Sequence, residues 1–285
     1  MYNQRFPLSI TCHGKLLDLS IPRVMGILNV TPDSFSDGGQ FTTEKAMLLQ
    51  VEKMVSEGAD IIDIGGMSSR PGAKIIGVKE ECERVLPAIR AIRKSFSDII
   101  LSVDTLHSET AQAAWDEGMD ILNDISGGDY DPGMLKWVAG HPIPWIVMHM
   151  PGTPETMAAH TSYSDVTTDV LKDLDRKVYR ATKAGIRDIV VDPGFGFGKT
   201  TEQNYQLLSN LEIFHTLNCP LLVGFSRKSM IRHILQVDNP LKTINGTTVL
   251  NTIALDRGAS ILRVHDVREA AEAVKLYSQL RGQKK

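Results

Sequence analysis

Cysteine is scarce in this chain. Cys12, Cys82 and Cys219 are the only three among 285 residues. An odd number of widely spaced thiols argues against a disulfide framework. The absence of any Cys-x-x-Cys pair or Cys/His ligand spacing argues against a structural zinc site. Reduced thiols in a cytoplasmic protein are the expectation. An excess of one charge is also missing: 31 Lys and Arg stand against 34 Asp and Glu, a formal net charge of −3. Such a chain has no bulk attraction for nucleic acid or an acidic lipid surface, so neither is expected as a partner. A local basic site for a small anion remains compatible with it. No apolar run approaches the roughly 18 residues of a membrane span. The opening residues lack a basic start followed by an apolar stretch, so no signal peptide is expected. No Pro/Ser-rich linker or block of like charge divides the chain.

Apolar residues are plentiful. Hydrophobic residues make up 42% of the chain and charged residues 23%, which excludes disorder and suffices for a large core. The length fits either two ordinary domains or one α/β barrel of about 250 residues. A recurring local pattern decides between them. Glu57-Gly58-Ala59-Asp60-Ile61 is echoed at Glu117-Gly118-Met119-Asp120-Ile121, at Ala184-Gly185-Ile186-Arg187-Asp188-Ile189 and at Arg257-Gly258-Ala259-Ser260-Ile261. Each reads as a helix ending on a glycine, where a left-handed backbone is wanted, followed by an apolar strand. The four glycines lie 60, 67 and 73 residues apart. Each interval holds about two βα units of 30 or more residues.

Strand-like runs then number eight: Val24–Val30, Ile61–Gly65, Ile99–Asp104, Ile121–Ile125, Trp145–Met148, Ile189–Asp192, Leu221–Gly224 and Ile261–Val264. Helical patterns alternate with them, among them Thr43–Ser56, Lys79–Lys94, Asp165–Lys183, Ile244–Asp256 and Val267–Leu280. The expected fold is a single α/β domain over residues 1–285, a (β/α)₈ barrel at 22–281. A doubly wound open sheet is the alternative. Ahead of the barrel, Leu8–Cys12 and Lys15–Leu19 flank His13-Gly14. Residues 1–20 therefore read as a β-hairpin placed to plug the lower end of the barrel.

In such a barrel the active site forms where strands end and βα loops begin. All eight of those ends carry polar groups here. They include Asn29, Ser68-Ser69-Arg70, Asp104, Asn123-Asp124, His149, Asp192, Ser226-Arg227-Lys228-Ser229 and Arg263-Val264-His265-Asp266. The opposite ends read as ordinary junctions. That asymmetry points to an enzyme. The stretch Asp192-Pro193-Gly194-Phe195-Gly196-Phe197-Gly198-Lys199-Thr200 looks like a phosphate loop, but Pro193 stands where a Walker motif needs Gly. Lys199 stands where a dinucleotide motif needs its third Gly, so both nucleotide readings fail. Its glycines are expected to let the backbone turn tightly beside a ligand. Thr105 and Ser108 are positioned to cap the following helix, which leaves Asp104 free for a ligand. His149 fits either a lining or a packing role.

Taken together, these segments resemble the dihydropteroate synthase family, folate-pathway enzymes built on a pterin-binding barrel. The longest match is Met25-Gly26-Ile27-Leu28-Asn29-Val30-Thr31-Pro32-Asp33-Ser34-Phe35-Ser36-Asp37-Gly38-Gly39. Ser69-Arg70-Pro71-Gly72-Ala73, Ser102-Val103-Asp104-Thr105, Asn123-Asp124-Ile125-Ser126-Gly127, Asp192–Lys199, Ser226-Arg227-Lys228-Ser229 and Arg263-Val264-His265-Asp266-Val267 follow in order. One departure is visible. Met67-Ser68-Ser69-Arg70-Pro71 stands where the family often reads Glu-Ser-Thr-Arg-Pro, so a carboxylate is lost at Met67.

The resemblance implies joining of p-aminobenzoate to 6-hydroxymethyl-7,8-dihydropterin diphosphate, with release of pyrophosphate. It places Asp104, Asn123, Asp192, Lys228 and Arg263 on the pterin, whose guanidine-like edge suits carboxylate acceptors. It places Asn29, Ser69, Arg70, Arg263 and His265 on the diphosphate, with Asn29 offering an oxygen to Mg²⁺. Phe35, Ser69, Pro71, Phe197, Lys228 and Ser229 would receive p-aminobenzoate. Asp37, Arg70 and Lys228 are the implied catalytic groups. The implied mechanism is an SN1-like displacement without a protein nucleophile, the loops 31–39 and 69–72 closing over the substrates. Inhibition by sulfonamides, which mimic p-aminobenzoate, is expected by analogy. A homodimer through barrel helices is implied as well. Two other functions share the pterin carboxylates: a pterin-dependent methyltransferase and a non-catalytic pterin-binding paralogue.

Overall fold

The computed structural model describes residues 9–31 and 40–282. Ser9–Cys12 (β1) and Lys15–Asp18 (β2) pair antiparallel. His13 and Gly14 join them, both at positive φ (45° and 76°), which matches the twist of a two-residue hairpin. The barrel then alternates strand and helix. It begins with β3 (Arg23–Asn29), α1 (Gln40–Glu57), β4 (Ile61–Gly65), α2 (Val78–Ser95), β5 (Ile100–Asp104) and α3 (Ser108–Asp116). It continues with β6 (Ile121–Asp124), α4 (Met134–Ala139), β7 (Trp145–Met148), α5 (Val166–Lys183), β8 (Ile189–Asp192) and α6 (Thr201–Ser209). It ends with β9 (Leu222–Val223), α7 (Ser229–Leu235), α8 (Ile244–Asp256), β10 (Ile261–Val264) and α9 (Val267–Leu280).

Eight parallel strands run in the order β8-β7-β6-β5-β4-β3-β10-β9. A parallel bridge between Val191 and Leu221 brings β8 and β9 together, so the sheet closes and the open-sheet alternative falls. The ninth strand is shorter than the run Leu221–Gly224 suggests: Leu222 and Val223 pair with β10, while Leu221 bridges to Val191 and accepts from the Ile261 N–H (3.1 Å). The four junction glycines, Gly58, Gly118, Gly185 and Gly258, all adopt positive φ.

Strand alternation divides the core. On β4, Ile62 and Ile64 face the surrounding helices, whereas Ile61 joins an inner apolar layer with Met25, Ile121, Ile146, Val190, Leu222 and Ile261. Ile10, Cys12, Leu17 and Leu19 of the hairpin segment pack into that same layer, so the hairpin plugs the lower barrel end. The lower junctions are not bare. Asp188 accepts from the Thr11 N–H (3.2 Å), and Asp120 bonds His13 Nδ1 (2.8 Å) and Arg93. These carboxylates fasten the plug and its surroundings. Two residues further along, five of the eight strands present polar groups on the inner face: Asp63, Ser102, Asn123, Asp192 and Arg263. The barrel interior is thus apolar at the bottom and polar above.

Candidate active site

Asp63 is the hub of the polar layer. It is wholly buried in an otherwise apolar strand, where an unpaired carboxylate would be very costly. Ser102 Oγ donates to its Oδ1 at 2.6 Å, and Asn123 Nδ2 donates to Oδ2 at 3.2 Å. Arg263 presents both Nε and Nη2 to Oδ2, each at 2.6 Å. The same guanidinium reaches Asp104 Oδ2 at 3.1 Å through Nη2. One arginine therefore bridges carboxylates from β4 and β5. Burial pushes the Asp104 carboxyl up to about 7, Arg263 opposing and Asp63 adding to the rise. Burial acts to lower Arg263, but Asp63 and Asp104 outweigh it and hold it above the usual guanidinium value.

The register shows how the strand ends converge. Asn29 pairs with Gly65, Gly65 with Asp104, and Asp104 with Asn123. Asp192 closes the other side. Its Oδ1 accepts from the Gly194 N–H at 2.7 Å, and burial raises its carboxyl against the charge of Lys228. Gly194 turns the chain at φ 71°, and a β-carbon there would collide with the carbonyl oxygen of His149. This is the tight turn the glycines were expected to make. Lys228 Nζ donates to the Phe195 carbonyl oxygen and lies 4.7 Å above the centre of the Phe197 ring. Burial pushes Lys228 down to about 8, with Asp192 opposing.

The anionic end is organised around His265. Ser226 Oγ accepts from the His265 backbone N–H at 3.1 Å and lies 3.0 Å from Nδ1. With the hydroxyl hydrogen turned to Nδ1, the ring carries its proton on Nε2 and can donate it. Burial, then the charges of Arg227 and Arg263, lower His265 to about 4; Arg70 contributes too, so the exposed second loop lies within electrostatic reach. Arg227, at φ 60°, forks onto Asp266 at 2.6 and 3.1 Å and ties the last two loops together.

Of the residues read from the sequence, Asn29, Asp104, Asn123, Asp192, Lys228, Arg263 and His265 all stand at the upper strand ends. Phe197 is buried in an apolar layer with Met67, Leu106, Ile125, Met148, Met150 and Met157, beside Lys228. Arg70 and Pro71 are exposed, Ser69 is half-buried and Ser229 is exposed. Phe35 and Asp37 lie outside the described residues, as does most of the 31–39 loop. The expected capping by Thr105 and Ser108 is corrected. The N-cap of α3 is His107, which makes no side-chain cap bond; Thr105 Oγ1 donates to buried Glu81 (2.6 Å) while accepting from the His107 N–H (3.1 Å), and the Ser108 N–H is taken by Asp131 (2.7 Å). His149 accepts from buried Lys199 and takes the packing role. Sequence reasoning passed over Asp63 and named Ser226 and Lys199 only within motifs, without a role. For Asp63 a signal existed: a lone charge within Ile61-Ile62-Asp63-Ile64 must find a partner.

A closed parallel barrel with paired carboxylates, an amide, Lys228 and Arg263 at its upper rim defines an enzyme of the barrel class that takes a small molecule. The family model described as pterin binding enzyme matches residues 25–265. The dihydropteroate synthase of Haemophilus influenzae is 44% identical over 273 residues, covering 95% of this chain and 98% of that one. The structure of Xanthomonas albilineans dihydropteroate synthase with 4-aminobenzoic acid superposes with a TM-score of 0.90, at 39% identity, covering 97% of this chain and 99% of that one. The same enzyme in complex with 7,8-dihydropteroate gives 0.85 at 35% identity, covering 98% and 100%. The chain belongs to the pterin-binding enzyme family, in its dihydropteroate synthase branch.

Proposed function

We propose that the chain condenses 6-hydroxymethyl-7,8-dihydropterin diphosphate with p-aminobenzoate to give 7,8-dihydropteroate and pyrophosphate. One observation carries this reading. Asp104 and Asp192 are buried acceptors with raised carboxyl values, Asn123 sits on the neighbouring strand, and Arg263 alone bridges Asp63 and Asp104. Carboxylates in that state gain most from a ligand bringing paired N–H donors, which is what the guanidine-like edge of a pterin offers. Lys228 is placed to donate to the pterin's carbonyl or ring nitrogen. Its alkyl stem and Phe197 form a surface suited to the p-aminobenzoate ring, with Ser229, Ser69 and Pro71 nearby in the loops.

In this mechanism the pterin methylene becomes positive as pyrophosphate leaves, with SN1-like character, and the arylamine then attacks. The buried carboxylates favour that developing charge. Arg263, Arg70 and neutral His265, donating through Nε2, suit the departing anion. Among the described residues no group of three or more His, Cys, Asp or Glu could hold a metal by itself. Asn29, at the end of β3 beside Gly65, would offer one oxygen to a Mg²⁺ that the diphosphate would otherwise carry. When bound, it would supply charge neutralisation at the leaving group.

We also propose a cytoplasmic homodimer. Among the described residues no helix is long and apolar enough to cross a membrane. Val249 and Ile253 on α8 and Leu276 and Leu280 on the neighbouring α9 are exposed apolar side chains that a second copy would cover. The function is tested by a coupled assay for pyrophosphate. Pyrophosphate released mole for mole with dihydropteroate when both substrates are present supports the condensation. No release with both, or release without dihydropteroate, overturns it.

A further inference from the structure

One buried cation is used by neither the pterin nor the diphosphate assignments. Lys199 ends the glycine loop after β8 and is 9% exposed. Its Nζ donates to the Gly194 carbonyl oxygen (2.8 Å), the Phe197 carbonyl oxygen (3.0 Å) and His149 Nδ1 (2.9 Å). All three acceptors are neutral; the two carbonyls span the loop from its first glycine to its last aromatic residue, and His149 follows β7. Between them, the Phe195 carbonyl oxygen accepts from Lys228 instead. The loop is thus held between two lysines, one on its buried side and one on the site side. A neutral-acceptor cradle is an expensive place for an ammonium, so its role lies in what it shapes.

We infer that Lys199 is a positioning residue, which holds residues 194–199 in the curve that offers the Phe195 carbonyl oxygen and the Phe197 ring to Lys228. Burial lowers Lys199 to about 7 and His149 to about 2, so the imidazole is neutral and can accept. The cradle also satisfies an uncharged amine, which would donate to both carbonyls and accept from an Nδ1–H tautomer of His149. The clamp therefore persists across neutral pH. This inference rests on the pterin-condensing reading, in which Lys228 touches the substrate.

The test is a double-mutant cycle on pterin diphosphate binding, measured by calorimetry on the full chain: wild type, Lys199→Met, Lys228→Met and both together. If Lys199 acts through Lys228, Lys199→Met weakens binding about tenfold, and adding it to Lys228→Met costs no more than about a further twofold. Multiplying effects would show an independent, merely structural role and overturn the inference. So would wild-type affinity in Lys199→Met. Lys199→Gln, which keeps a donor for one carbonyl, serves the same cycle if the Met variant does not fold. A wild-type chain that binds no pterin diphosphate overturns the functional reading and this inference with it, whereas normal wild-type binding with an unaffected variant overturns this inference alone.

Discussion

Asp104 works against the stability of the fold, and Asp104→Asn should show it. Its carboxyl is raised from 3.8 to about 7, chiefly by burial. Below about pH 4 the group is protonated in both the folded and unfolded chains, so the substitution changes little. From about pH 4 to 7 the unfolded chain ionises while the folded chain keeps its proton. The native state then loses about 1.36 kcal/mol per pH unit from this group, and the loss is complete above about 7. The interval amounts to about 4 kcal/mol. Asparagine removes the penalty and leaves Arg263 on Asp63, where Nε and Nη2 both lie 2.6 Å from Oδ2. Urea unfolding of wild type and variant at intervals between pH 4 and 8 reads the difference directly. Asp63, Glu81 and Asp124 repel the ionised Asp104 and so belong to the same difference. The variant should match wild type near pH 4 and exceed it by up to about 4 kcal/mol at pH 8. A gap that does not change with pH, or a wild type that gains on the variant as pH rises, would mean that the Arg263 pair outweighs burial and would refute the reasoning.

The polar layer makes a contrasting prediction for Asp63→Ala, which strips the buried guanidinium of its main partner and should cost about 3–5 kcal/mol in urea unfolding; a loss under about 1 kcal/mol would deny Asp63 its place as hub. Arg70→Ala should reduce turnover more than tenfold while the pterin diphosphate Kd stays within about threefold, since Arg70 is exposed yet close enough to act on His265; a normal turnover number would remove it from the closing loop. Met67→Glu should destabilise the chain by about 2–4 kcal/mol and give no gain in turnover, because Met67 packs with Met148, Met150 and Phe197; a large rate increase would show that the carboxylate common in the family is needed here.

Much of this was legible because the barrel writes its geometry in short, regular runs. The helix–Gly–strand junctions at Gly58, Gly118, Gly185 and Gly258 and the eight apolar strands are local signals, whereas closure rests on the Val191–Leu221 bridge, which no local pattern announces. The strand-end residues Asp104, Asn123, Asp192, Lys228 and Arg263 were legible for the same reason. Asp63 was passed over because Ile61–Gly65 reads as a buried strand, although its alternation already aligns Asp63 with Ile61 on the inner face. The role of Thr105 depends on Glu81, 24 residues away on α2, and no local capping rule anticipates a partner on another helix. Lys199 served only to exclude a dinucleotide motif. Its burial comes from the loop curling back onto His149 of the preceding βα unit, a tertiary event without a spacing signature. Hydrogen bonding of Ser226 to His265 likewise joins neighbouring strand ends across 39 residues.

The most direct measurement is a calorimetric titration of pterin diphosphate into the wild-type chain and into Asp104→Ala and Asp192→Ala. The account predicts that wild type binds without p-aminobenzoate present and that each variant stays folded and loses at least about a hundredfold in affinity, in line with charge-assisted hydrogen bonds to a buried carboxylate. Folded variants that bind as wild type does would contradict it.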